Sequence, residues 1–498
     1  MMGLTKLNVW AFFCRTPHYL FLIFCLSLLV RLIFVLKFPE FGGDADIYLL
    51  VAGNIIGGCG VAISPIDSGT CVPHFGGNQG PGYPLFIALN WILSDNSNLV
   101  VRLTQSIIVC MSVVYFVHAI EKFLQSEKKA LIIGCALAIS PCAIAWSRFL
   151  QTEALALAGT LWLFAALLSS IQNRKLKLLE ISAALIFTSF IRLDAVALII
   201  PICYTAFYIS NAGKALKNLI VIGLIVAIPW GGWMIRNYHV GLISVLPQGM
   251  ITPDGGAEPK GYLLWIRTWM TNTYHNTNSQ WPVNRLVYSS TSIDPEIFIS
   301  DQERETVQNL LGELAMFDGQ PFPIHIDDEF RLLAQNRINE RPLEVFITNP
   351  LRRTFSMWSN PFNSFGWPTM LDGNFSKSLR IEIAKGDLKK LISVALDNPG
   401  IAFNKAFIAV WRLSFLLAFA FILLREFFVK SKLRPLILST TCFIIGKSLI
   451  AGWLNPETRY IITAIPLIEA SVLSFLLIYW PKYKLSFFDQ KNPKHESI

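Results

Sequence analysis

Apolar residues gather in runs of helical length at 17–38, 98–120, 130–147, 153–171, 178–191, 193–210, 218–236, 406–428, 435–454 and 461–480. A helix that crosses a bilayer needs ~20 such residues. The pattern predicts an all-α polytopic membrane protein with about ten transmembrane helices. The fifth and sixth runs are short and meet at Arg192, so they also read as one long or broken element. Two further apolar stretches, Ile47 to Ile56 and Tyr83 to Leu93, are too short to span. They read as surface helices in the loop after the first span.

Between the seventh and eighth runs, from Asn237 to Asn404, the polar pattern is that of a soluble chain, and a mainly helical extracytoplasmic domain is expected there. Ser300 and Glu303 form a capping box ahead of Val307, Leu310, Leu311 and Leu314, which recur at helical spacing. Asp327 to Glu340 is a second amphipathic helix, with Phe330, Leu333 and Ile338 on its stripe. Pro342 and Pro350 sit where helices begin, and Asn349-Pro350 is expected to interrupt a continuous one. Leu351, Phe355 and Trp358 after Arg352-Arg353 suggest a helix resting on the membrane with basic anchors, and Thr252 to Gly261 reads as a loop. The chain thus divides into a membrane module at 1–236, an outer domain at 237–404, and C-terminal membrane helices with a cytoplasmic tail at 405–498.

Composition agrees: 53% hydrophobic and 15% charged residues exclude an ordinary soluble domain. The net charge of +9 does not point to nucleic acid, because Lys and Arg are dispersed in short clusters between the apolar runs. With the N-terminus inside, those clusters all face the cytoplasm, while residues 39–97 contain no Lys or Arg and face outward. The first run reads as a signal anchor rather than a cleavable signal peptide. Cys59 and Cys71 share the outer loop, where a disulfide can form in an oxidising compartment.

That loop opens with Gly42-Gly43-Asp44-Ala45-Asp46-Ile47-Tyr48. Carboxylates at the membrane surface are costly without a task or a partner. Asp44 either caps the surface helix or acts as a general base that takes a proton from an incoming hydroxyl or amine. Asp46 is the second choice for the base. Arg102, Arg148, Arg192, Arg236 and Arg459 all lie at span ends on the same face. A guanidinium fork suits phosphate, although each arginine can instead snorkel or pair with Asp44, Asp46, Glu153 or Glu457. Glu153, at the start of the fourth run, either binds a sugar hydroxyl or caps its helix. Arg31 and Lys447 fall within spans, with partners the sequence does not assign. His74, His275 and His325 lack metal-ligand spacing, and Asp327-Asp328-Glu329 reads as an acidic first turn. Neither a metal nor a cofactor is predicted. Trp265, Trp269, Tyr274 and Trp281 either stack on a sugar or form the outer domain's core.

Taken in order, Asp44, Tyr48, Ala52 and Asn54, then Pro81-Gly82-Tyr83-Pro84-Leu85-Phe86, Arg102-Leu103, Thr152-Glu153, Pro229-Trp230 to Arg236-Asn237-Tyr238, and Arg459-Tyr460 give a chain that resembles bacterial GT-C glycosyltransferases. The resembling branch uses polyprenyl-phosphate sugars and includes protein O-mannosyltransferases and the aminoarabinose transferase of lipid A. The resemblance implies transfer, with inversion, of a sugar from a polyprenyl-phosphate donor to a lipid, glycan or protein acceptor at the outer face of a bacterial inner membrane, without a nucleotide sugar. It implies Asp44 or Asp46 as catalytic group; Tyr48, Tyr83, Arg102, Arg148, Glu153, Arg192, Arg236, Arg459 and Tyr460 are the candidate substrate-binding residues. One departure stands out: Asn78-Gln79-Gly80 precedes Pro81 where relatives often carry Arg or Lys. One of Arg102, Arg192, Arg236 and Arg459 would then have to meet the donor phosphate. A transporter or lipid-linked sugar flippase is the alternative, but internal repeats and matched broken helices, its usual marks, are not evident.

Overall fold

The structure is a computed structural model that describes residues 17–64, 69–74, 80–242, 258–360, 366–368, 388–397, 399–454 and 456–489. Most of the expected loop at Thr252 to Gly261, together with Asn78 and Gln79, lies outside these residues.

The described chain is helical, with isolated bridges in place of sheet. In order run α1 (His18–Lys37), α2 (Ala45–Ile56), α3 (Gly82–Ser94), α4 (Asn98–Leu124), α5 (Glu127–Ala138), α6 (Glu153–Asn173), α7 (Leu178–Ile191), α8 (Ile199–Ile209) and α9 (Ala212–His239). Then come α10 (Lys260–Trp269), α11 (Thr273–Asn284), α12 (Asp301–Leu314), α13 (Ile324–Glu340), α14 (Asn349–Ser359), α15 (Leu388–Asp397), α16 (Pro399–Phe428), α17 (Arg434–Trp453) and α18 (Ile465–Asp489). Among the described residues, six helices are long and apolar enough to cross a membrane: α1, α4, α6, α9, α17 and the 402–428 part of α16. A seventh crossing is made if α5 and Pro141–Arg148 count as one span bent by 51°. Pro141 explains the bend, since it cannot donate to the helical ladder. The runs at 178–191 and 193–210 are separate short helices, broken at Arg192 by an extended residue and a 3₁₀ turn (Leu193–Leu198).

Helix α6 is the centre of the bundle. Its apolar window is 89% buried, against 6% for α9 at the periphery, which accounts for its being apolar on every side. The first residue of this central helix is Glu153, so its N-terminus opens directly onto the polar groups described below. The Gly80-Pro81-Gly82 motif serves packing. A Cβ at Gly80 or Gly82 would come within 2.2 or 2.8 Å of the Phe190 carbonyl oxygen, so only glycine lets α3 seat against the end of α7.

The segment between α9 and α15 has its own core, built by Tyr262, Trp265, Ile266, Val307, Leu314 and Phe330. Ser300 caps α12 as expected, accepting from the Glu303 amide at 3.1 Å. The Glu303 carboxylate turns instead to the Ile299 amide, the Trp265 indole and Arg337. Burial raises its pKa, but the hydrogen bonds from Arg337 and Ile299 outweigh that and hold it below the ordinary carboxylate value. On α13 the buried residues are Ile326, Asp327, Phe330, Ala334 and Arg337; Phe330 is on the stripe as expected, whereas Leu333 and Ile338, each one residue from a buried position, are half-buried, and Arg337 is drawn inward by Glu303. Asn349-Pro350 does not interrupt the helix; a π turn at Glu344–Thr348 leads straight into α14. On α14, Leu351 and Phe355 are exposed, but Arg353 is buried on the Arg267 carbonyl and serves as no surface anchor.

Candidate active site

Asp44 stands at the N-terminus of α2, after a turn in which Gly42 takes a positive φ of 87°. Its carboxylate makes no capping hydrogen bond. It faces Arg459 instead, at 2.5 Å from Nη1. Arg459 lies in a 3₁₀ turn (Thr458–Ile461) between α17 and α18, next to Pro456, which cannot extend α17. Its Nε meets the Glu457 carboxylate, and its Nη1 lies 3.9 Å from Glu153. Burial alone would disfavour the guanidinium, but Asp44 and Glu457 overcome it and push the Arg459 pKa well up.

Behind this pair sits a drier one. Arg192 Nη1 reaches Glu153 at 2.7 Å and the Thr152 hydroxyl at 2.8 Å, while its Nε donates to Asp194 at 3.1 Å. Lys447 on α17 reaches the other Asp194 oxygen at 2.7 Å, which supplies the partner that the sequence left unassigned. Arg192 and Arg459 flank the Tyr460 ring, at 5.2 and 5.7 Å from its centroid. The two pairs differ in access. Side chains of Arg192 and Glu153 are 4% and 2% exposed, whereas Arg459 and Asp44 are each 21% exposed. Only the outer pair is open to a ligand.

Tyr48 is buried one turn below Asp44, with its ring 5.2 Å from that of Tyr83. Burial, then the charge of Asp44, pushes its pKa well up, so it remains a phenol. Tyr83 donates to Gln105 at 3.1 Å, and Gln105 holds the carbonyls of Ser147 and Phe149. Asp46 is exposed in the first turn of α2.

The five arginines do not converge. Arg192 and Arg459 meet. Arg102 is spent on the carbonyls of Arg148 and Glu40, and Arg148 on those of Gly366 and Phe38. Arg236 holds the carbonyls of His74 and Val61, both at 2.7 Å, and so clamps the loop closed by the disulfide between Cys59 and Cys71. Irregular backbone at span ends leaves carbonyls without helical partners, and a guanidinium satisfies them as readily as it does phosphate. Arg31 likewise serves Ser27 and the Ala138 carbonyl at the bend. Of the aromatics between α9 and α15, Trp265 and Trp269 are core, whereas Trp281 donates to Glu457 at 3.2 Å. Glu457 is the residue that sequence reasoning passed over, noted only as an ion-pair option; its place directly after Pro456 and two residues before Arg459 was the available signal. Among the described residues no group of three or more His, Cys, Asp or Glu side chains is placed to hold a metal ion.

Residues 78–233 match the family model described as dolichyl-phosphate-mannose-protein mannosyltransferase. This segment is that of a GT-C glycosyltransferase. The glycosyltransferase match includes Tyr83, Arg102, Arg148, Glu153 and Arg192, while Asp44, Arg236, Arg459 and Tyr460 lie outside it; of these, Arg459 reaches Glu153 and Tyr460 lies against Arg192. A crystal structure of ArnT from Cupriavidus metallidurans bound to undecaprenyl phosphate is similar at 12% identity and a TM-score of 0.38, covering 96% of this chain and 81% of that one. No curated protein matches the chain.

Proposed function

We propose that this glycosyltransferase moves a sugar from a polyprenyl-phosphate donor to a lipid, glycan or protein acceptor, with inversion, at the outer face of the bacterial cytoplasmic membrane. The family match supports the donor class. The cation-free loop and its disulfide support the outer face. The proposed topology counts ten crossings, with α7, α8 and the apolar part of α18 as short spans and the broken α5 unit as one, and an outer domain from 237 to 404.

One observation carries the reading: a partly exposed carboxylate and a partly exposed guanidinium, Asp44 and Arg459, face each other at the edge of the buried network. Asp44 takes the proton of the acceptor's hydroxyl or amine as that atom attacks the anomeric carbon. The bond from that carbon to the phosphate oxygen breaks, and polyprenyl phosphate departs with the electron pair. Attack opposite the leaving group inverts the anomeric centre. Arg459 turns its fork to the phosphate as charge grows on the leaving oxygen, where neutralisation helps most. Arg192, dry and fully engaged, holds Glu153 and through it the position of Arg459. Arg102, Arg148 and Arg236 hold backbone, and Tyr48, Tyr83 and Tyr460 wall the site.

Transfer from polyprenyl-phosphate sugars by the purified protein in nanodiscs tests this. Product with inverted configuration, lost in Asp44→Asn, is expected. Lipid binding without transfer would overturn it in favour of a flippase or scaffold.

A further inference from the structure

The outer segment reaches the candidate base through a chain of contacts. Asn276 Nδ2 and Trp281 Nε1, both on α11, donate to the same Glu457 oxygen at 3.1 and 3.2 Å. The other Glu457 oxygen meets Arg459 Nε, and Arg459 Nη1 meets Asp44. The backbone is fixed at the same place, where the Thr273 hydroxyl donates to the Pro456 carbonyl at 3.0 Å. Glu457 is 5% exposed and so is no surface carboxylate waiting for substrate.

We propose that Glu457 is a positioning residue through which the outer segment sets how firmly Arg459 holds Asp44. The inference rests on the proposed role of Asp44 as base. Arg459 is shared among three carboxylates: Asp44 from α2, Glu457 from its own turn, and Glu153 from α6. Arg192 and the phenols of Tyr48 and Tyr460 also face it, and Arg285 lies against Gly43 beside Asp44. A cation shared this way is withdrawn from any one partner. With Glu457 pinned by α11 on Arg459 Nε, part of the guanidinium's charge is answered there while Nη1 meets Asp44, and Asp44 keeps the basicity that proton transfer needs.

The test is the pH dependence of sugar transfer. In Glu457→Gln, Arg459 loses a competing counter-charge and its charge is answered more fully by Asp44, and one negative neighbour of Asp44 is lost. Both changes make Asp44 shed its proton more readily and accept one less well. The acid limb of kcat is expected to move down by about one pH unit, with a plateau about tenfold lower, and Glu457→Asp is expected to restore the limb. The paired change Asn276→Ala with Trp281→Phe leaves every charge in place and guards against a Glu457 variant that does not fold. It is expected to lower kcat with donor KM unchanged. An unmoved limb in folded Glu457→Gln, or a kcat unaffected by the α11 pair, overturns the inference while Asp44→Asn remains inactive. If Asp44→Asn is itself active, the role of Asp44 fails instead.

Discussion

Arg459 Nη1 and Asp44 Oδ2 lie 2.5 Å apart although 415 positions separate them in the chain. The contact joins the first loop to the turn before the last helix. It makes the site a product of the closed bundle rather than of one loop.

Replacing Asp44 by Asn keeps its size and its ability to accept from Arg459 but removes the site for a proton. Transfer is expected to fall at least ~100-fold, the lower range for loss of a general base. Asp46→Asn, at an exposed position, is expected to leave the rate within a few-fold. Steady-state transfer by the two folded variants decides between the carboxylates.

Arg459 spans Asp44 and Glu457 with different nitrogens of one planar group, which a lysine ammonium cannot do. Arg459→Lys is expected to raise the donor KM and lower kcat together, by about tenfold or more overall. Arg102→Lys, at a residue bound to two carbonyls, is expected to act on thermal stability and leave donor KM near wild type. Equal effects on KM from both would show that Arg102 meets donor as well.

What was legible in the sequence follows from what local pattern encodes. Runs of apolar residues marked the six or seven long helices found among the described residues, and the shorter apolar stretches marked the two short helices of the first loop. Asp44 and Arg459 could be singled out because a charge at a span end is conspicuous. What each charge touches is set by packing, which no spacing records. Lys447 and Asp194 are 253 positions apart, and neither neighbourhood hints at the other. Arg102, Arg148 and Arg236 looked like phosphate ligands because a guanidinium binds phosphates and carbonyls alike. Glu457 was passed over because its work depends on α11, a helix supplied by the outer segment.

His74 is buried beside Arg236, and burial followed by that charge lowers its pKa from 6.5 to about 4. The folded loop therefore prefers the neutral ring. Between pH 6.5 and 4 the open loop binds more protons than the closed one, so the loop's stability is full above 6.5 and lost as pH falls toward 4. Amide exchange at residues 59–64 and 69–74, corrected for intrinsic rates, is expected to lose protection across that window in wild type and to stay level in His74→Gln. The Cys59 to Cys71 bond persists throughout and confines the opening to the loop.

Arg192, Glu153, Asp194 and Lys447 form a buried set in which two cations balance two carboxylates. Removing one member strands a charge in a site that water does not reach, at a cost of about 3–5 kcal/mol. Lys447→Met leaves Asp194 in excess, and Asp194→Asn leaves the cations in excess. Either single change is expected to lower the melting temperature sharply in detergent. The double variant removes one charge of each sign and retains the Arg192 and Glu153 pair, 2.7 Å apart, so balance returns. Its loss is expected to be smaller than the two single losses together by at least about 1 kcal/mol, as coupled neighbours show. Additive losses would mean that Lys447 and Asp194 stabilise the bundle through packing and not through each other's charge.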